Sequence, residues 1–589
     1  MEIKRVFDLL KHYQENNARP DALVAKENGS WKNYSTHEFV DNVNHLSYGL
    51  SNIGINKDDK IAIISNNRPE WNFADYASQQ SGAISVPIYP TISLHDLIFI
   101  FNDAQVKLVF VSSSELYDKV KEAAKQAPSV KFIYSFNEIK DVLHWKELYQ
   151  NGKNSPVSEK IEQIKSSIKS HDLLTILYTS GTTGTPKGVM LSHNNLLSNS
   201  FASQSLAPFE KHWKALSFLP LNHVYERMLN TLYIYLGLGI YYAESLETIG
   251  DNLKEVKPQV FATVPRLLEK VYDKIVAKGL EQTGIKKTLF FWALDLGLKY
   301  ELNGANGWWY EFKLGLANKI IFSKWREALG GNVVAAVSGG AALQPRLARV
   351  FNAAKITVLE GYGLTETSPV IAVNSFKPNG IMFGTVGEVI DKVSVKIADD
   401  GEILVKGPNV MLGYYNRPDA TAEVMDAEGW FHTGDIGTFI NNRYLKITDR
   451  KKEIFKTSGG KYIAPIMIEN KLKESPYIEQ ALVVGENQKY AGALIVPAFV
   501  ALKDYCAKHN IEFKSNEDVI TKKEIIALID KAVEESNKTL APYETIKKVT
   551  LMSREWSIEK GEMTPKLSLK RKVILEANKT QVENMFSNT

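Results

Sequence analysis

At 589 residues the chain exceeds what a single hydrophobic core organises, because cores stop growing at roughly 250–300 residues, and it is expected to be multidomain. Hydrophobic residues at 44%, charged residues at 23% and a net charge of +4 are ordinary for a globular protein and give no ground for a nucleic-acid partner. A single cysteine, Cys506, excludes an intrachain disulfide and a multi-cysteine metal site, which fits a reducing compartment and places the chain in the cytoplasm.

The first residues interleave charges with apolar side chains and lack a signal-peptide core, and no run of about twenty apolar residues could span a bilayer. Apolar β-rich runs at 60–64, 107–111, 130–135, 260–264 and 333–337 alternate with stretches of helical period, which predicts a doubly wound α/β architecture. After 173–177 comes YTSGTTGTPKGVMLSH, residues 178–193. Its glycines 181, 184 and 188 are expected to turn the backbone towards phosphate oxygens, with hydroxyls from Thr179, Ser180, Thr182 and Thr183 and a charge from Lys187. The Walker order Gly-Lys-Ser/Thr is absent, so this is a phosphate loop of another type.

Further along, 218–227 reads FLPLNHVYER, and the aromatic-rich run 231–243 predicts a buried strand or helix lining an apolar cavity. The stretch 288–331 carries Phe290, Phe291, Trp292, Trp308, Trp309, Tyr310 and Phe312. Three readings of it stay open: a wall for an alkyl chain, ordinary helix packing, or an aromatic face on a membrane surface. Gly-rich segments follow at 337–343 (VSGGAAL) and 360–369 (EGYGLTETSP). From 384 onward short strands between turns suggest a small β-barrel or meander, containing GWFHTGDIG at 429–437. Past Asp449 the sequence DRKK opens a region sized for a separate α+β domain, with TSGGK at 457–461 and GEMTPKLSLKRKV at 561–573. The basic cluster Lys566, Lys570, Arg571 and Lys572, read on charge alone, is a solvated face.

Taken in order, these motifs resemble those of the adenylate-forming superfamily of acyl-CoA synthetases, luciferases and peptide-synthetase adenylation domains, and in particular its long-chain fatty acyl-CoA synthetases. The resemblance implies an α/β fold with a large N-terminal domain, 1–449, of doubly wound subdomains plus a small β-barrel at about 384–449. A smaller mobile α+β domain, 450–589, would turn about a hinge at 450–452. It implies an ATP site built from Thr179, Ser180, Gly181, Thr182, Thr183, Gly184, Lys187, Gly339, Gly340, Ala341, Glu360, Gly361, Tyr362, Gly363, Thr365, Asp435, Arg450, Lys452 and Lys456. Tyr362 would stack on adenine and Asp435 would accept from the ribose hydroxyls. Thr179 and Glu366 would hold Mg2+, an ion suited to oxygen ligands. Ser458, Gly459, Gly460 and Lys461 would line the coenzyme A tunnel. His223 would lie near the carboxylate, and Lys570 would be the catalytic lysine alongside Lys187, with Lys566 and Lys572 as competitors for that register. The aromatic gate of some long-chain members falls at Arg227, so that gating does not carry over.

The implied activity is conversion of a long-chain fatty acid, ATP and coenzyme A to acyl-CoA, AMP and pyrophosphate through an acyl-adenylate. Transfer to a carrier-protein thiol, activation of another acid, and a nucleotide- or lipid-binding sensor without turnover are the alternatives. Peripheral membrane contact and a homodimer are left open.

Overall fold

The computed structural model describes residues 2–179, 185–245, 247–557, 559–564 and 569–587. Two large sheets form the N-terminal part. One has seven strands in the order Gly413–Tyr414, Lys187–Ser192, Leu173–Thr179, Ile84–Ile88, Lys60–Ile64, Val106–Val111 and Phe132–Ser135. From Leu173–Thr179 outward its neighbours are parallel. The other contains a parallel run through Thr357–Gly363, Ala335–Ser338, Val260–Thr263, Lys214–Ser217, Gly239–Tyr242 and Leu23–Glu27. Parallel strands need both faces covered, and the β-branched KIAII of Lys60–Ile64 is buried at four of its five positions.

Helix Pro69–Gln80 lies between the two sheets, touching Lys60–Ile64 and Ile84–Ile88 on one side and Leu23–Glu27 on the other. All its residues are buried, so its polar side chains must find partners. Asn72 donates to the Tyr242 hydroxyl at 2.5 Å, and Asp75 takes Gln79 at 2.9 Å and the Arg227 guanidinium at 2.7 Å. Arg227 also donates to Ser85 at 2.9 Å and does not line the large cavity described below.

The segment 231–243 is buried as expected, split between helix Val224–Leu236 and strand Gly239–Tyr242. On that helix Glu226 is 1% exposed, and burial pushes its carboxyl up to about 8. A folded value above the unfolded one gives stability that is whole below about pH 4.5 and is lost as pH rises through about 8. Glu226→Gln, neutral at every pH, is expected to reduce the fall in thermal midpoint between pH 5 and pH 8.5 by several degrees. Equal falls in both proteins would mean that Glu226 is already ionised in the folded state.

The region expected to form a small β-barrel is an antiparallel set that continues the second sheet edgewise. It runs through Val370–Val373, Glu388–Val389, Tyr444–Arg450, Phe431–Ile440 and Glu402–Lys406 to Ser394–Ile397. Beyond it, Ile478–Val484 and Ala491–Pro497 pair antiparallel, and Ile546–Leu551 joins parallel. Among the described residues no apolar cluster contains side chains from both sides of 450–454.

The seam between the two parts is instead polar. Arg266 pairs with Glu479 and lies 3.7 Å from Glu555, Arg346 reaches the Lys473 carbonyl at 3.4 Å, and Asp449 accepts the Ile466 N–H at 3.3 Å. Burial pushes the Asp449 carboxyl up to about 7. The smaller domain thus meets its neighbour through ion pairs and polar contacts rather than through a shared apolar core.

Candidate active site

Strands Leu173–Thr179 and Lys187–Ser192 pair antiparallel, with Thr179 opposite Lys187 and Tyr178 opposite Gly188. The connection between them is the segment expected to act as a phosphate loop; Ser180, Gly181, Thr182, Thr183 and Gly184 lie outside the described residues, as does Lys566. Gly188 differs from expectation. It sits inside a strand, where a Cβ would meet Ile176 at 2.7 Å and the Tyr178 ring at 3.1 Å, so it serves close packing rather than a turn.

The base of the loop is fixed by partners that come from far along the chain. The Tyr178 hydroxyl donates to Asp103 at 2.7 Å, and Lys187 Nζ lies 5.1 Å over the Tyr414 ring. Tyr414 in turn donates its hydroxyl to Glu366 Oε1 at 2.9 Å, and the Glu366 carbonyl accepts from Met411 N–H. Thus Lys187 and Glu366, 179 positions apart in sequence by their numbers, share one ring. Tyr414 and Asp103 carry no sequence signal: Gly413–Tyr414 is a two-residue strand, too short for any periodicity to show.

The parallel strands Ala335–Ser338 and Thr357–Gly363 deliver the next group at their C-terminal ends, the edge where open α/β sheets bind ligands. Gly339, Gly340 and Ala341 follow the first strand, and Gly340 has φ +83°, a conformation that favours glycine. Glu360 is buried, accepts the Leu343 N–H and has its carboxyl pushed up to about 8 by burial, so it ties the two strand ends together. Gly361, Tyr362 and Gly363 face the cavity, and Thr365 and Glu366 occupy the short turn Thr365–Thr367.

Tyr362 donates its hydroxyl to Asp435 Oδ2 at 2.7 Å, and Arg450 Nε lies 3.4 Å from Asp435 Oδ1. Register explains the second contact, since Asp435 and Arg450 are directly paired on Phe431–Ile440 and Tyr444–Arg450. Asp435 is 5% exposed, and burial raises its carboxyl above the usual range while Arg450 opposes the shift.

His223 caps helix Val224–Leu236, its Nδ1 accepting the Tyr225 N–H at 3.1 Å. A neutral ring accepting at Nδ1 carries its proton on Nε2. The same residue lines a cavity of about 1570 Å3 whose wall also includes Gly339, Gly340 and Tyr362 at one end. Phe218, Leu232 and Leu268 continue it towards Phe290, Trp325 and Leu329 in the helical insert. The volume exceeds the roughly 300–1,000 Å3 of ordinary small-molecule pockets. The aromatic residues of the insert fall into three environments. Phe290 lines the cavity, Phe291 and Trp292 are half-buried in helix packing, and Trp308, Trp309 and Phe312 are exposed.

On the C-terminal side, Lys452 is exposed in the turn after Tyr444–Arg450, and Lys456 Nζ lies 5.4 Å over the Tyr462 ring. Ser458, Gly459, Gly460 and Lys461 form an exposed tight turn closed by Thr457 N–H to the Lys461 carbonyl at 2.9 Å. Lys570 is the residue before helix Arg571–Ala577 and donates its N–H to the Glu562 carbonyl at 2.7 Å. Arg571 anchors this segment through Val483 O at 2.7 Å and Glu469 Oε1 at 2.5 Å. Neither Lys570 nor residues 458–461 line the cavity. Among the described residues no three His, Cys, Asp or Glu side chains gather as a metal cage. Thr179 and Glu366 offer only oxygen donors, which fit a hard divalent cation completed by phosphates. Among the described residues no helix is long and apolar enough to cross a membrane.

Residues 12–415 match the model of the AMP-binding enzyme family and 452–589 match that of its C-terminal domain. A long-chain-fatty-acid–CoA ligase of Mycobacterium bovis is 32% identical over 96% of this chain and 95% of its own length. Long-chain-fatty-acid–CoA ligase 5 of Rattus norvegicus is 31% identical over 95% of this chain and 85% of its own. Among solved structures, the adenylation domain of a carboxylate reductase from Mycobacterium chelonae aligns with a TM-score of 0.75 at 21% identity, covering 99% of this chain and 91% of that one. A fatty acyl CoA synthetase of Mycobacterium tuberculosis aligns at 0.61 and 20% identity over 98% and 99%. At such identities the structural likeness is one of fold, while the family models and relatives at above 30% go further: this chain belongs to the AMP-binding enzyme family, alongside the long-chain-fatty-acid–CoA ligases.

Proposed function

We propose that the chain activates long-chain fatty acids with ATP and passes the acyl group to coenzyme A, releasing pyrophosphate and then AMP. The observation that carries this is one apolar cavity that begins at Tyr362, Gly340 and His223 and continues into the helical insert. A carboxylate is a poor electrophile, and an adenylate gives it a good leaving group. One carboxylate oxygen bonds to the α-phosphorus as the bond to the β-phosphate oxygen breaks, and pyrophosphate departs. Lys187 and the loop after Thr179 stabilise the phosphate charge, Asp435 and Arg450 hold the ribose, Tyr362 packs on adenine, and Lys570 meets the charge developing at the carboxylate and α-phosphate. Mg2+, held by Thr179 and Glu366, supplies charge neutralisation at the phosphates when bound.

In the second step the coenzyme A thiol gives up its proton to solvent, its sulfur bonds to the acyl carbon, and the bond from that carbon to the phosphate oxygen breaks so that AMP leaves. Domains 1–449 and 450–589, hinged at 450–452, alternate so that Lys570 serves the first step and the turn 458–461 the second. That turn favours coenzyme A over a carrier-protein thiol, and an intact lysine on a mobile domain argues against a sensor without turnover. A long acid resides in bilayers rather than as free monomer, so the reading includes peripheral contact of a cytoplasmic enzyme with a membrane.

The test is AMP release with ATP, Mg2+ and coenzyme A over saturated acids from acetate to stearate, run beside pyrophosphate exchange without coenzyme A. Burial is worth about 0.8 kcal/mol per methylene, so kcat/KM is expected to rise roughly three- to fourfold per added carbon until the cavity is filled. A flat profile, or exchange without thioester formation, would point to another acid or another acceptor.

A further inference from the structure

The large cavity carries two chemistries. Phe218, Leu268, Phe290 and Trp325 make its wall apolar, whereas Lys254, Lys270, Lys274, Lys278, Lys286 and Lys324, all exposed, line its rim. These six come from four helices: Ile249–Val256, Pro265–Leu280, Gly284–Leu298 and Ser323–Ala328. Lysines along one helix are ordinarily a solvated face; lysines that four helices bring to one opening make a cationic ring. Three carboxylates, Glu244, Glu247 and Asp251, share the lining. Two of them are already matched, Glu244 by Lys26 at 3.0 Å and Asp251 by Lys254 at 3.4 Å. Among the described residues no carboxylate pairs with Lys270, Lys274, Lys278 or Lys286. A cleft with apolar walls and unpaired charge of one sign focuses its field on an anion.

The helix that carries half of the ring also measures its distance from the end at Gly340 and His223. Pro265–Leu280 begins just after strand Val260–Thr263, and the Thr263 carbonyl accepts the Gly339 N–H at 3.1 Å, so its first turn adjoins that end. At about 1.5 Å per residue, Lys270, Lys274 and Lys278 lie roughly 8, 14 and 20 Å along the axis. Four-residue spacing puts all three on one face. An extended alkyl chain advances about 1.3 Å per carbon, so an acid of about 12–16 carbons that starts at Gly340 and His223 ends among them. A terminal methyl gains nothing from such a ring. A second carboxylate does.

We infer that the cavity takes long α,ω-dicarboxylic acids as substrates, with one carboxylate at Gly340 and His223 for adenylation and the other among Lys270, Lys274, Lys278 and Lys286. Turnover of these acids rests on the acyl-activation reading; their binding does not. The same geometry excludes short diacids, whose second carboxylate would stop against Phe218 and Leu268, where an unpartnered charge is costly.

The test compares diacids with monoacids of equal length, from eight to sixteen carbons, by AMP release with coenzyme A. Displacement of bound cis-parinaric acid, a fluorescent fatty acid, reads the same series without turnover. The diacid is expected at least about 100-fold below the monoacid in kcat/KM at eight carbons and within a few fold of it at fourteen to sixteen. Lys270→Gln/Lys274→Gln/Lys278→Gln should lower the ratio of hexadecanedioate to palmitate about tenfold, and raising the ionic strength should lower it in the wild type. Lys270→Arg/Lys274→Arg/Lys278→Arg should keep it. Palmitate, measured in the same preparations, reports the folding of each variant, and the length series needs only the wild-type chain. A diacid-to-monoacid ratio that does not rise with length, or that the glutamine variant leaves unchanged, overturns the inference. If displacement follows the expected pattern and no acid releases AMP, the cationic ring stands and the activity reading falls.

Discussion

Lys570→Ala is expected to slow pyrophosphate exchange by about 100- to 1,000-fold while ATP binding changes by no more than a few fold, the pattern of a group that acts on transition-state charge. The segment is held by Arg571, whose guanidinium bridges Glu469 and the Val483 carbonyl, so truncating Lys570 leaves its anchor intact. Its own hydrogen bond to the Glu562 carbonyl is a backbone one and survives the substitution. Thioester formation from acyl-adenylate supplied ready-made should continue, because that step has no need of this lysine. Lys572 is exposed one turn position further on, and Lys572→Ala is the matched control, expected within threefold of wild type. A collapse of exchange in Lys572→Ala with Lys570→Ala unaffected would move the catalytic register by two residues.

Asp435→Ala is the second large effect, expected as a roughly 30- to 150-fold rise in KM for ATP. The carboxylate is 5% exposed and holds the Tyr362 hydroxyl at 2.7 Å with Arg450 3.4 Å away. On the proposed reading its removal strips the ribose of its acceptor and takes from the half-buried Tyr362 hydroxyl its carboxylate partner, a loss of about 2–3 kcal/mol. Tyr362→Phe removes the hydroxyl alone and should cost only a few fold. Since burial raises the Asp435 carboxyl, the wild-type KM should worsen as pH falls into the range where it takes up a proton, and Asp435→Asn should lack that dependence. Titration calorimetry with ATP at two pH values reads both effects.

Much of the frame was legible in the chain because it is local. The run 60–64 coincides with strand Lys60–Ile64 and 107–111 falls within strand Val106–Val111, where β-branched residues and flanking turns fix the ends. Gly188 misled because a glycine in a Gly-rich motif reads as a turn, whereas here Tyr178 needs the space above it. The insert could not be resolved into its three environments, because a Trp or Phe at helical spacing looks alike whether it meets core, cavity or solvent; only the packing of neighbouring helices separates Phe290 from Trp308. The Tyr414 bridge and the Arg266 to Glu479 pair were invisible for a different reason. Arg266 and Glu479 are 213 residues apart, and nothing near either one announces the other.

That pair has thermodynamic weight. Arg266 belongs to the cavity wall at the start of helix Pro265–Leu280 and also holds Glu479 and Glu555 across the seam. A helix that shifts to fit a longer acyl chain therefore carries the seam's central cation with it. If the cavity takes the proposed acyl chain and the smaller domain moves as proposed, occupancy and docking are linked quantities: whatever free energy filling the cavity adds to docking, docking must add in equal measure to the grip on the chain.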